Sequence, residues 1–291
     1  MLLSCKSDNN ALTTAADSDK LAIAKSKLSE NGNVQNASQY LMAIRTAIGE
    51  PNADKNQLLT EGLAVAEQYK LGPQAVSFLM PLIKDYNTDP QTAERMAKLA
   101  SALQDLNRPA AAAIVAQGYL AKYPEGPFGT SLLEKIGKQT TTPQDRLQAM
   151  AEEVFVNPDK YGINKASAQR YVDACEAFAL AYPTDSEAPM YLYRGAEMAR
   201  TLRTFTKALS IYDWIEEKYP DFEKTPTTMF LKGFMLENDL NNKQKAKEVY
   251  NTFLAKYPNH DLADDIKFLI QNIDKSDKEI MEMIESKKKG Q

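Results

Sequence analysis

One histidine in 291 residues limits the chemistry this chain can run, because most proton-transfer and nucleophile-activating machinery is built on an imidazole. His260 stands one helical turn before Asp264, a spacing at which the two could face a metal together. The simpler account of Asn259-His260-Asp261, with Asp264 and Asp265 following, is that Pro258-Asn259 caps a helix whose positive end the aspartates favour. No Ser or Cys can be assigned a histidine base from the sequence. Cys175 falls inside a helical apolar pattern and reads as packed core rather than reactive thiol. Gly137-Lys138 has the ending of a phosphate loop, but Leu132 stands where the first glycine belongs and Gln139 where Ser or Thr belongs, so it is rejected. Glu152-Glu153 and Glu216-Glu217 are neighbours on different helix faces; they read as solvated, not as acid and base. The expectation is a non-enzymatic protein with no cofactor, no metal and no small-molecule substrate.

Composition places the chain among folded proteins: 43% hydrophobic and 25% charged residues suffice for a continuous core. A formal charge of −4 argues against nucleic acid, since phosphate binding needs concentrated Lys and Arg. The single basic run, Lys287-Lys288-Lys289, sits beside the C-terminus and reads as a frayed helix end. No stretch approaches the roughly 18 apolar residues of a spanning helix, so the body of the protein is expected in water.

Cys5 follows Leu2-Leu3-Ser4 and precedes the polar Lys6-Ser7-Asp8-Asn9-Asn10. This resembles a bacterial lipobox, in which the cysteine thiol is diacylated, the leader is cleaved before it and a polar tether follows. The segment 6–19, rich in Ser, Asn, Thr, Asp and Ala without periodicity, suits such a tether. A secretory leader carries a basic segment and about 7–15 apolar residues, whereas four residues precede Cys5. Either the natural N-terminus lies upstream of Met1, or the segment is an ordinary disordered terminus with a stray thiol.

Four tyrosines precede prolines at the ends of helical patterns: Tyr123-Pro124, Tyr182-Pro183, Tyr219-Pro220 and Tyr257-Pro258. Proline disfavours helical geometry in the residue before it, so each pair marks a helix terminus. The last two spacings are 37 and 38, and a shift of 38 carries Gly195 onto Gly233, Ala208 onto Ala246, Tyr212 onto Tyr250 and Pro220 onto Pro258. Leu192, Met198 and Ile215 move onto Phe230, Leu236 and Phe253. A fixed period of 20–50 residues is a solenoid signature. Each unit reads as two helices, over 188–201 and 205–218, then 227–239 and 243–256. The glycines are expected to leave room where the second helix crosses the first, with the alanines filling the matching positions. Earlier pairs are expected over 55–86, turning at Leu71-Gly72-Pro73, and over 91–123, turning at Asn107-Arg108-Pro109. Tyr171, Cys175 and Phe178 share the frame of Ala208, Tyr212 and Ile215. Closing helices are expected over 260–273 and 277–287.

Gly, then Ala, then an aromatic and a terminal Pro at these offsets resembles the tetratricopeptide repeat, with a unit about four residues longer than that family's 34. The resemblance implies an all-α, right-handed superhelical solenoid of antiparallel helix pairs with no sheet. It divides the chain into a leader and tether over 1–20, an N-terminal repeat half over 21–124, an irregular joint over 125–164 and a C-terminal half with capping helices over 165–291. It implies a concave groove formed by first helices, with Leu192, Ala196, Arg200, Phe230, Phe234 and Asn238 facing a protein partner. Together with the lipobox-like segment, the chain is similar to bacterial envelope tetratricopeptide lipoproteins. That similarity implies a protein-binding scaffold on the periplasmic or surface face of the outer membrane, touching membrane only through its lipid. A glycan- or nutrient-binding accessory is the alternative from another class. It needs exposed aromatic platforms, and Trp214 is the sole tryptophan. Without the lipid, a cytosolic adaptor is what remains.

Overall fold

The structure is a computed structural model that describes residues 8–160, 162–275 and 279, with side chains from residue 19 onward. Cys5, Lys287-Lys288-Lys289 and, but for Glu279, the closing helix expected over 277–287 lie outside those residues. Every regular element among the described residues is a helix: α1 Asp8–Glu30, α2 Val34–Ile48, α3 Lys55–Gln68, α4 Gly72–Asp85, α5 Thr92–Asp105, α6 Pro109–Lys122, α7 Gly129–Ile136, α8 Pro143–Glu153, α9 Lys165–Ala181, α10 Ala188–Thr201, α11 Phe205–Lys218, α12 Thr225–Asn238, α13 Lys243–Lys256 and α14 Ala263–Asn272. The chain is thus an all-α, tetratricopeptide-like array of helix pairs. It divides into two compact units, the first ending at Arg146 and including Leu180–Tyr182, the second comprising Leu147–Ala179 and the chain from Pro183. In the first, α1 pairs with α2, α3 with α4 and α5 with α6; in the second, α10 pairs with α11 and α12 with α13.

The tether read over 6–19 differs from what is observed, because α1 is already helical at Asp8. Helix-forming alanines at 11, 15 and 16, and the lack of Pro or Gly before Gly32, remove the local reason for a break.

The period has a simple construction. First and second helices are 14 residues each in α3–α6 and α10–α13. Three residues join a pair and six join one pair to the next, which makes thirty-seven. The α12–α13 joint has a fourth residue, 239–242, and that residue makes thirty-eight. Within each joint one residue takes a left-handed backbone: Lys70, Asn107, Arg203 and Asn241, with φ of 55, 57, 59 and 49°. The next N–H then reaches back over the helix end, from Leu71 to the Ala66 carbonyl, Arg108 to Leu103 and Thr204 to Ala199, satisfying carbonyls that the helix leaves orphaned.

The six-residue linkers repeat as well. Tyr86, Tyr123, Tyr219 and Tyr257 end second helices with φ between −125 and −132°. Two turns follow in each, as from His260 N–H to the Tyr257 carbonyl and from Ala263 N–H to the His260 carbonyl. The Thr92 and Thr225 hydroxyls open the next helix by donating to the Tyr86 and Tyr219 carbonyls at 3.0 and 2.8 Å. Tyr86-Asn87 reaches the same geometry without proline, so the Tyr-Pro signal alone misses this boundary.

Second helices hold one register throughout. Their fourth, eighth and eleventh positions are Ala75, Leu79, Leu82; Ala112, Ala116, Tyr119; Ala208, Tyr212, Ile215; and Ala246, Tyr250, Phe253, all buried, and Tyr171, Cys175 and Phe178 of α9 fall in the same frame, also buried. First helices do not follow the 38-residue shift. Counted from their first residues, α12 starts 37 after α10, so Met229 replaces Leu192 and Gly233 replaces Ala196, all in the core. The sequence match of Gly195 to Gly233 is therefore one residue out of structural register. The extra residue lies after α12, and only the second helix inherits it.

The two glycines consequently do different things. A Cβ on Gly233 would lie 2.4 Å from Cε1 of Tyr250, in its own partner helix α13. A Cβ on Gly195 would meet Cβ of Cys175 at 3.0 Å, in the preceding helix α9 rather than in α11. Gly62 repeats the first arrangement, 2.5 Å from the Phe78 ring of α4. Polar tips buried by this packing are paired: Tyr40 donates to Glu61 at 2.7 Å, Tyr250 to Glu237 at 2.9 Å, and Tyr212 to Glu197.

Candidate protein-binding faces

In the first unit α3, α5 and α7 are successive first helices, and with the α3–α4 joint they line a cleft of about 710 Å³. Its floor is apolar, with Ala66, Leu79, Ala97, Leu106, Phe128 and Leu132, and the small alanines let an incoming side chain approach the helix backbones. Its rim carries ion pairs. Lys98 lies between Glu67 at 3.0 Å and Glu94 at 3.1 Å, and Lys135 contacts Asp105 at 2.7 Å and the Ser101 hydroxyl at 2.6 Å. Burial works against the charge on Lys98, but its bonds to Glu67 and Glu94 outweigh that and hold its pKa above the ordinary lysine value. Such a rim can orient a polypeptide around apolar anchors. Sequence reasoning placed the groove elsewhere because 125–164 reads as an irregular joint. The signal was present: Lys98 and Lys135 stand 37 apart, the spacing of the first helices that carry them.

In the second unit the six residues expected to face a partner separate. Leu192 and Ala196 are fully buried and belong to the core, which corrects their assignment to a groove. Arg200 is half-buried and bonded to Glu197 at 2.9 Å. Phe230 packs on the core that Met229 and Leu236 of α12 share with Ile266 and Ile273. Phe234 is 37% exposed, its ring centroid 6.0 Å from that of Phe230. Asn238 is exposed and donates to the Phe234 carbonyl. The one-residue slip explains the mixture, since Leu192 and Ala196 are fifth and ninth in α10 while Phe230 and Phe234 are sixth and tenth in α12. The sixth positions of successive first helices are Tyr193, Phe230 and Phe268. Of these, half-buried Tyr193 and Phe268, 41% exposed, were missed.

The residues singled out for chemistry are held in structural roles. His260 accepts the Leu262 N–H at Nδ1, 3.1 Å away, with its ring edge-on to Phe253. Asp264 is bonded to Lys267 at 2.8 Å in the first turn of α14, and no group of three or more potential metal ligands occurs among the described residues. The Cys175 thiol is fully buried, and burial pushes its pKa well above the ordinary thiol value. Gly137 ends α7 at φ 81°. Glu216 is not solvated, contrary to the sequence reading. It is 15% exposed and 3.3 Å from Lys232, which also contacts Asp213; burial is the larger influence and raises its pKa. Glu217 is 54% exposed. Trp214 is buried, so it offers no platform for a sugar. No described helix is long and apolar enough to cross a membrane.

No protein-family model and no curated protein matches the chain. Among solved structures, the TPR2AB-domain:pHSP90-complex of yeast Sti1 is similar at 16% identity, over 89% of this chain and 98% of that one, with a TM-score of 0.29. The helical-repeat assignment rests on the pairs, joints and linkers described above.

Proposed function

We propose that this protein is a helical-repeat scaffold that holds a segment of a partner protein, and that the first-unit cleft is where it does so. The observation that carries the reading is the cleft's construction, an apolar floor of about 710 Å³ under a rim of ion pairs on three first helices. It lies within the size range of specific binding pockets and has their mostly apolar lining. The test is proximity crosslinking in the native cell, comparing wild type with Ala102→Arg, which places a guanidinium over the floor. Loss of the captured partners with unchanged helicity supports the reading; unchanged capture removes the cleft from it.

The finer part of the proposal is location. The lipobox-like Leu2-Leu3-Ser4-Cys5 and the repeats ending in Tyr-Pro support a lipid-anchored scaffold of a bacterial cell envelope, with envelope proteins as partners. Membrane fractionation of wild type against Cys5→Ala tests it. Release of the variant from membrane supports the anchor, and an identical cytosolic distribution of both leaves a cytosolic adaptor.

A further inference from the structure

We infer that the exposed phenylalanines of α12 and α14 dock a basic amphipathic helix of a partner protein, an inference that rests on the protein-binding reading above. The two helices share one core, into which Phe230 packs. Phe234 and Phe268 remain 37% and 41% exposed on these helices, Phe234 with its ring centroid 6.0 Å from that of Phe230, and aromatic side chains are efficient interface anchors. Exposed apolar groups are ordinary singly. Here the sixth position of both helices is a phenylalanine, Phe230 packed on the core and Phe268 exposed, and the exposed Phe234 stands one turn beyond Phe230.

Charge selects the partner. Residues three and four apart share a helix face, so Glu237 lies beside Phe234, and Asp264 and Asp265 lie beside Phe268. Glu237 is fixed there by the Tyr250 hydroxyl at 2.9 Å. The Asp264 side chain is 92% exposed, with Lys267 as its salt-bridge partner at 2.8 Å. Carboxylates beside both phenylalanines, Glu237, Asp264 and Asp265, suit a helix with apolar groups at i, i+3 or i+4 and Lys or Arg on its flanks. They repel an acidic one. Rim charges of this kind govern encounter rate and partner choice, and weaken with salt.

The experiment uses the full-length chain and two labelled peptides of about 18 residues, long enough for five helical turns. They share a leucine stripe, one carrying Lys and the other Glu elsewhere, and binding is read by fluorescence anisotropy. The Lys peptide is expected to bind at least about tenfold more tightly at low salt, with the gap narrowing as salt rises. Phe234→Ala with Phe268→Ala is expected to abolish its binding. Asp264→Asn with Asp265→Asn, at exposed positions and with unchanged helicity as the check on α14, is expected to shrink the gap. Equal binding of the two peptides overturns the inference. So does Lys-peptide binding that survives loss of both phenylalanines, which would be charge attraction alone. A concentration-dependent dimer that the phenylalanine changes dissociate overturns it in favour of a second copy of this chain. If peptide preference is absent while cellular crosslinking still depends on the cleft, this inference fails and the proposed function stands.

Discussion

At Gly233 the space for a side chain is already taken, since a Cβ there would lie 2.4 Å from the Tyr250 ring. Tyr250 cannot yield freely, being buried and bonded to Glu237. Gly233→Ala is therefore expected to destabilise the second unit by about 1–3 kcal/mol through overpacking, read as a lower urea midpoint. Gly72→Ala is the control, because its nearest neighbour is Leu106 at an ordinary 3.5 Å. Arg203 presents the opposite case, a long side chain at φ 59° where glycine has no steric penalty. Arg203→Gly is expected to stabilise by about 0.5–1 kcal/mol, less whatever its stacking over Phe205 contributes, and thermal unfolding checks the sign. The glycine and alanine pattern was legible in the sequence. Which neighbour each glycine admits was not, because Gly195 opens toward Cys175 of the preceding helix and sequence spacing says nothing about the side on which a helix is crossed.

Helices and their joints were the most readable level. Proline fixes its own backbone and restrains the residue before it, so α4 and α6 begin, and α6, α9, α11 and α13 end, where the prolines predict. The register of first helices was lost to one extra residue between α12 and α13, which shifts every position after it while leaving those before it in place. That slip put Leu192 and Ala196 on a face they do not occupy. At the N-terminal end, Glu61 of α3 accepts from Lys25 of α1 at 2.6 Å and from Tyr40 of α2. Burial pulls its pKa up, but these bonds outweigh it and hold the carboxyl below the ordinary 4.5. The folded state thus binds this proton less readily than the unfolded chain. The stability it contributes is present above about pH 4.5 and lost as pH falls through the depressed value. Hydrogen exchange is expected to show α1 amides losing protection across that acid range, and Glu61→Gln is expected to flatten the dependence.

For the molecule as a whole, a repeat array stands on the sum of its pairs and the interfaces between them, and here the pairs group into two units. The joint read over 125–164 contains the point, between Arg146 and Leu147, where the first unit's main segment ends. Within that stretch α7 belongs to the cleft; it is eight residues long and lacks a Tyr-Pro end, so its sequence signal is the 37-residue spacing of Lys98 and Lys135 alone. Trp214 gives the two-unit construction a practical use. It is the sole tryptophan, buried in α11 of the second unit, so fluorescence excited selectively at tryptophan reports on that unit while circular dichroism reports on both. If the units unfold separately, the two signals will give different denaturation midpoints on the same sample. The same pair of signals shows, without any label, which half a bound peptide protects.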